Sequence, residues 1–381
     1  MPVVGVLLLF GLVFGGFVGL VVLLLVGQQH ATRRRREAWA RLANGLGLSL
    51  AGDTIWGTLD GARVRVWIRV VRHNKSTSYY TVVEGQLEPH LDAGLSVYAQ
   101  GIFGDVLGGF LGQRDVEVGH AELDRLFVVR ADEDQRARWL LPPALCDAMV
   151  ALKRSRHEFC LDDAGARVER NGITSDEAWL AWALRTAAGL TRQLDDARRR
   201  TPPATPLLPH RLAWQRFARS AGLRGMDTPL CMWGRLDGAS VGAYAVRTRP
   251  LEYRIEATVR FDEPLALGLA VRPEGSWDSL RALFGAQDVS LGDPTFDRAF
   301  VVRATDLHRL DAVLDGDVRR SMVDLGQRVG PLQIDDEAVR LQSSSLSHDP
   351  RQAPWLLETA KQLADRIAAN ARPDAQRGPY R

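Results

Sequence analysis

Two pairs of adjacent carboxylates, Asp162-Asp163 and Asp335-Asp336, are the residues whose type and spacing come nearest to chemistry in this chain. Neighbouring acids can share a proton for acid–base work or hold a cation. Each pair stands where a hairpin must reverse, and Asp is favoured there because its side chain bonds nearby backbone amides. The expected role is therefore the turn. Asp124-Arg125 and Asp297-Arg298 precede a short apolar run and read as an ion pair or a cap. Gly292-Asp293-Pro294-Thr295 lacks the spacing of a phosphate-cradling loop and reads as a turn.

The other reactive residue types are scattered. His30, His73, His90, His120, His157, His210, His308 and His348 form no His-x-x-x-His pair, and none is matched by a His in the other copy, so neither zinc nor a nucleophile–base pair is indicated. Ser343-Ser344-Ser345 has no nucleophile-elbow setting. Cys146, Cys160 and Cys231 are odd in number and outside any C-x-x-C, which argues against a disulfide framework and for a reducing compartment. No catalytic set, cofactor or metal is expected, and the sequence leans away from an enzyme. With 49 Lys+Arg against 46 Asp+Glu, the net charge is +3, so no nucleic-acid partner is expected.

The elements that position these residues come twice. Trp39 within Glu37–Ala43 returns as Trp214 within Leu212–Ala218, and Trp56-Gly57-Thr58-Leu59-Asp60-Gly61-Ala62 returns as Trp233-Gly234-Arg235-Leu236-Asp237-Gly238-Ala239. Phe127-Val128-Val129-Arg130-Ala131 returns as Phe300-Val301-Val302-Arg303-Ala304, and Trp182 as Trp355. The offsets stay between 173 and 177, the mark of a tandem duplication.

Within a copy the expected order begins with a helix and a Leu-Asp-Gly turn, followed by an alternating strand at Arg63–Val70. Strands at Tyr79–Leu87 and Leu95–Gln100 come next, then a central apolar strand at Leu126–Arg130 and a helix over Asp132–Leu152. A hairpin and a long helix, Asp176–Asp196, complete the copy. Sequential strands with helices grouped around them imply an antiparallel sheet covered on one face.

Upstream of the copies, Val3 to Val26 carries no charge and Arg33 to Arg36 follow it. As a helix the run is about 36 Å long, enough for a hydrocarbon core of about 30 Å. No basic residue precedes it, unlike a cleaved signal peptide. A retained anchor is expected, with the arginines on the cytoplasmic side. The expected fold is α+β: an N-terminal transmembrane helix followed by two tandem repeated domains, each an antiparallel sheet with packed helices. The expected parts are an anchor and juxtamembrane segment at 1–32, repeats at 33–198 and 211–370, an extended Pro-rich linker at 199–210 and a disordered tail at 371–381. The chain is then a single-pass inner-membrane protein with its N-terminus outside and both repeats cytoplasmic.

Two further stretches carry candidate contacts. Gly11, Gly15 and Gly19 recur on one helical face, the small-xxx-small pattern that would let the anchor pair with a second copy or another membrane protein. Ile102, Phe103, Val106, Leu107, Phe110 and Leu111 also share one helical face, as a segment touching the membrane surface or lidding an apolar ligand.

The segment Gly292-Asp293-Pro294-Thr295-Phe296-Asp297-Arg298-Ala299-Phe300-Val301-Val302 resembles one found in uncharacterised membrane-anchored bacterial proteins. In the first copy His120, Ala121 and Leu123 replace Asp293, Pro294 and Phe296. The resemblance implies a bacterial, membrane-anchored setting and brings no activity or site. A non-catalytic scaffold or interaction module is the leading expectation. A lipid or small apolar-ligand binder is the alternative, and an enzyme with its site between the repeats comes third.

Overall fold

A computed structural model describes residues 32–73, 76–100, 114–155, 157–274 and 288–372. The first helix, α1, spans residues 32–46 and buries Ala38, Trp39, Leu42 and Ala43 along one face. It ends at Gly47, whose φ of +68° suits a residue without Cβ, while the Leu48 N–H returns to the Ala43 carbonyl at 2.8 Å.

The first sheet is built from β1 (Ser49–Ala51), β2 (Thr54–Leu59), β3 (Ala62–His73), β4 (Ser76–Gln86), β5 (Ser96–Ala99), β6 (Arg114–Asp115), β7 (Phe127–Ala131), β8 (Glu158–Asp162) and β9 (Gly165–Asn171). Its order is β1-β2-β3-β4-β9-β8-β5-β7-β6, with the named strand pairs antiparallel. Helices α2 (Ala121–Leu126), α3 (Asp134–Leu140), α4 (Pro143–Arg154) and α5 (Glu177–Arg198) accompany it.

The second sheet comprises β10 (Arg224–Asp227), β11 (Leu230–Leu236), β12 (Ala239–Arg249), β13 (Glu252–Arg260), β14 (Ala270–Pro273), β15 (Phe300–Arg303), β16 (Leu332–Asp335) and β17 (Ala338–Gln342). Helices α6 (Leu208–Ser220), α7 (Pro294–Ala299), α8 (Leu307–Val313), α9 (Gly316–Arg328) and α10 (Gln352–Ala371) go with it. Its order, β10-β11-β12-β13-β17-β16-β14-β15, repeats the first position by position, with no counterpart of β6 among the described residues. The chain is thus α+β, with two antiparallel sheets.

Each sheet has its own apolar core, and the two cores are separate. Helix α5 lies across β3, β4 and β9, and α10 across β12, β13 and β17. The approach of α5 is close enough that a Cβ on Gly85 would stand 2.3 Å from Thr191 Oγ1 and 2.5 Å from the Ala187 carbonyl. Only glycine fits there. At the equivalent crossing in the second sheet the sizes are exchanged: Val259 holds the strand position of Gly85 and Ala364 the helix position of Thr191, both buried.

Three expectations are corrected. The single helix over Asp132–Leu152 is two, α3 and α4, because Pro142 and Pro143 remove backbone donors and start a new helix. The apolar strand at Leu126–Arg130 is not central: β7 is next to the edge and β15 is the edge itself. Only alternate residues of β7 are fully buried; its β-branched content fits a pleated surface and does not encode a place in the sheet. Residues 199–210, expected as an extended linker, hold a 3-10 turn at Thr205–Leu207 and the start of α6, with Thr201, Ala204 and Leu207 buried.

Among the described residues no helix is long and apolar enough to cross a membrane. The run from Val3 to Val26, with Gly11, Gly15 and Gly19, lies outside them, as do Ile102, Phe103, Val106, Leu107, Phe110 and Leu111.

Candidate functional site

The paired carboxylates are divided in their work. Asp162 Oδ1 accepts the Ala164 N–H at 2.8 Å, and Asp335 Oδ1 accepts those of Glu337 and Ala338 at 2.9 Å, so the first acid of each pair is the turn residue. The second reaches a distant loop. Asp163 accepts backbone N–H groups from Ala93, Gly94 and Leu95, and Asp336 accepts them from Leu267, Gly268 and Leu269. Burial pushes the Asp163 carboxyl up to about 6 against the pull of those amides.

Asp124 and Asp297 are clamps of the same kind. Asp124 accepts the Val118 and Gly119 N–H groups at 3.0 Å, and Asp297 those of Leu291 and Gly292 at 3.0 and 3.1 Å. Asp293 caps α7, and in the first copy the ring of His120 caps α2 in its place. The segment Gly292–Val302 thereby resolves into a cap, a clamp and three core residues, Phe296, Phe300 and Val302. Arg35 and Arg36 both pair with Asp53, at 2.9 and 3.1 Å, so half of the arginine block Arg33–Arg36 is tied to the first sheet.

A polar seam joins the copies. Arg247 makes a bidentate pair with Asp132, with Nη2 2.7 Å from Oδ1, and the Asp132 side chain is wholly buried. The Tyr253 hydroxyl donates to the Asp92 carbonyl at 3.1 Å. Glu133 accepts from the Thr205 N–H at 3.1 Å, and the Thr228 hydroxyl donates to the carbonyls of Thr201 and Pro202. Burial, then the charge of Asp163, raises the Asp92 carboxyl to about 7, while Arg247 and Arg136 oppose the rise. They form a joint between the domains, in which Arg136 Nε and Nη1 are buried without a hydrogen-bond partner.

Open grooves lie elsewhere. One, of about 340 Å³, runs between α4 and α5 over Ala148, Leu152, Trp182 and Leu190, with the His157 ring 3.9 Å from that of Trp182. A second, of about 260 Å³, runs between α9 and α10. Each residue lining the second stands 173 positions after one lining the first, as Trp355 after Trp182 and Arg366 after Gln193. Their chemistry differs. Ala151, Ser155, Gly189 and Gln193 become Asp324, Arg328, Gln362 and Arg366, Arg328 pairs with Asp324 at 2.9 Å, and Trp355 stands 46% exposed.

Trp182 and Trp355 are legible in the sequence as a repeated pair; Asp92, Asp132, Arg247 and Tyr253 are not, because the copies do not share them as a set. The three cysteines are unpaired, and burial raises the thiol of Cys146 to about 11 and those of Cys160 and Cys231 to about 12. Among the described residues no group of three or more His, Cys, Asp or Glu is placed to hold a metal ion.

No family model matches the chain, and no curated protein does. Among solved structures it is similar to the mycobacterial trehalose monomycolate transport factor A, TtfA, at 11% identity and a TM-score of 0.26, over 44% of this chain and 95% of that one. A likeness at that score does not carry the transport factor's role over to this chain.

Proposed function

We propose that the chain is a non-catalytic interaction module of a bacterial inner membrane. Residues 3–26 hold it there, both α+β copies stand on the cytoplasmic side, and partner proteins dock in the helix-pair grooves. The observation that carries the reading is the recurrence of one groove at equivalent positions in both copies, each floored by a tryptophan. Tryptophan in a surface groove supplies a large apolar contact with little entropy to lose, which is why it is enriched where proteins bind. The mixed lining of the first groove and the more charged lining of the second suit two different partners.

The test is a photo-crosslinking residue at Gln193 or at Arg366 in the full chain, in its own membrane. Expected are protein adducts specific to each position, lost with Trp182→Ala and Trp355→Ala respectively. Lipid adducts alone would instead favour the lipid-binding alternative. Turnover of a defined substrate, lost on changing one polar residue, would overturn the non-catalytic reading.

A further inference from the structure

The joint between the copies is made of unlike surfaces. The second domain gives the far end of its β12–β13 hairpin, with Arg247 and Tyr253; the first gives Asp92, Asp132 and Arg136. Sheet register places the counterpart of each. Ala257 pairs with Leu341 as Val83 pairs with Val168, so Tyr253 corresponds to Tyr79. Val70 faces Tyr79 across β3–β4 as Arg247 faces Tyr253 across β12–β13. On the receiving side, Asp92 and Ala266 share a left-handed φ of 51° and 53°. The Asp132 and Thr305 N–H groups donate to the equivalent carbonyls of Ala93 and Leu267. Arg136 corresponds to Arg309.

A two-fold contact would use both hairpins and both receiving ends at once. An unlike, head-to-tail contact uses one of each and leaves one of each free. The second is what is seen. Tyr253 is 5% exposed in the joint, whereas Tyr79 is 44% and Val70 48% exposed at the free hairpin. The free receiving end is an open groove of about 690 Å³ that includes Ala266 and Arg309. It is open for an identifiable reason. In the first domain the Arg198 side chain fills the equivalent place, donating to the Glu88 and Pro89 carbonyls and pairing with Asp195. In the second, Ala371 and Ala368 replace that pair. At the place of the Arg247–Asp132 pair the free halves carry two uncharged residues, Val70 and Thr305, while the groove beside them also holds Arg260, Asp262, Glu263, Arg309, Asp365 and Arg372.

We propose that the chain assembles head to tail with further copies of itself, the β3–β4 hairpin of one chain seating on the Ala266–Arg309 end of the next. The contact places Val70 and Tyr79 where Arg247 and Tyr253 stand in the joint, with the β3–β4 hairpin running further, to His73 opposite Ser76, and it uses neither the helix-pair grooves nor the glycine face of the anchor. Copies confined to one bilayer surface meet at raised effective concentration, so a modest contact suffices.

The experiment uses two differently tagged full-length chains in one membrane, one Tyr79→Cys and the other Ala266→Cys, joined by a short bis-maleimide. A tyrosine's reach separates the two backbones beyond the span of a disulfide. The native cysteines are shielded, Cys146 and Cys231 being buried and all three thiols raised. Expected is a mixed product requiring both substitutions, and a ladder of higher products when one chain carries both. Adding Val70→Arg should cut the product at least tenfold, and adding Thr305→Asp as well should restore it by transplanting the Arg–Asp pair. That rescue also shows that Val70→Arg leaves the fold intact. Absence of mixed product overturns the proposal. So does product gained only when the chain stops after Arg372, which would assign the groove to residues 373–381 of the same chain.

Discussion

The two domains share a strand order and most of their buried residues, yet their corresponding ends have opposite fates. The first domain's Asp92 end is closed by Arg198, the 199–204 segment and the neighbouring hairpin; the second domain's Ala266 end is open. The difference rests on few positions: Arg198 against Ala371, Asp195 against Ala368, Asp132 against Thr305, and Asp92 against Ala266. Duplication supplied two equal scaffolds, and small changes at one end of each converted equality into direction.

The strongest way to break the comparison is at the joint. Asp132→Ala strands Arg247 beside a buried partner's empty place and should cost about 3 kcal/mol or more, whereas Thr305→Ala should cost about 1 kcal/mol. Urea unfolding of the detergent-solubilised chain checks both; equal costs would deny that the ends differ in load. Next come the loop clamps, which the copies share. Asp163→Ala and Asp336→Ala should each cost about 2–3 kcal/mol, since each leaves three loop amides without their acceptor. A large inequality would show that the clamps are not equivalent.

The opening tryptophans offer a finer comparison. The Trp39 indole N–H donates to the Thr174 carbonyl at 2.9 Å, while that of Trp214 is buried without a partner. Trp39→Phe should therefore destabilise by about 1 kcal/mol more than Trp214→Phe, because only the first breaks a hydrogen bond. Thermal midpoints of the two variants decide it.

The smallest effect is in pH. Asp92 and Asp163 are raised to about 7 and about 6, above the usual carboxylate range. The folded state therefore holds protons that the unfolded chain has released. Their stabilising contribution is full below about pH 4 and is lost as pH rises toward 7 and beyond. Raising pH from 6 to 8 should loosen the joint by on the order of 1 kcal/mol, and Asp92→Asn should flatten that dependence. Ala266 cannot titrate, so the second domain's end should show no equivalent change. Hydrogen exchange at the 247–253 hairpin across that pH range is the measurement.

Much of this was readable from residues alone. The duplication, the turn role of Asp162 and Asp335, the long helix α5 and the return of Trp182 as Trp355 all follow local pattern. The loop clamps of Asp163 and Asp336 did not, because they depend on β8 lying beside β5, with acceptor and donors some seventy residues apart. The joint was hidden for another reason. Asking what two copies keep selects turns and core, whereas Arg247 with Asp132 is made from residues that only one copy has at each place. Pro142-Pro143 could have been recognised as the end of α3, but the packing of residues 199–204 could not, since what covers them is the other domain.

Arg35 and Arg36, within α1, are tied to Asp53 between β1 and β2, and α1 begins at residue 32. Only residues 27–31 separate it from Val26, a span of at most about 20 Å even when drawn straight. On the anchored reading proposed above, the first domain is tethered like a buoy on a short chain, and the second has no mooring of its own. A pull on the second domain would load the covalent chain at 199–210 and the joint, where the Arg247–Asp132 pair and the Tyr253 hydroxyl bond to the Asp92 carbonyl cross from one domain to the other.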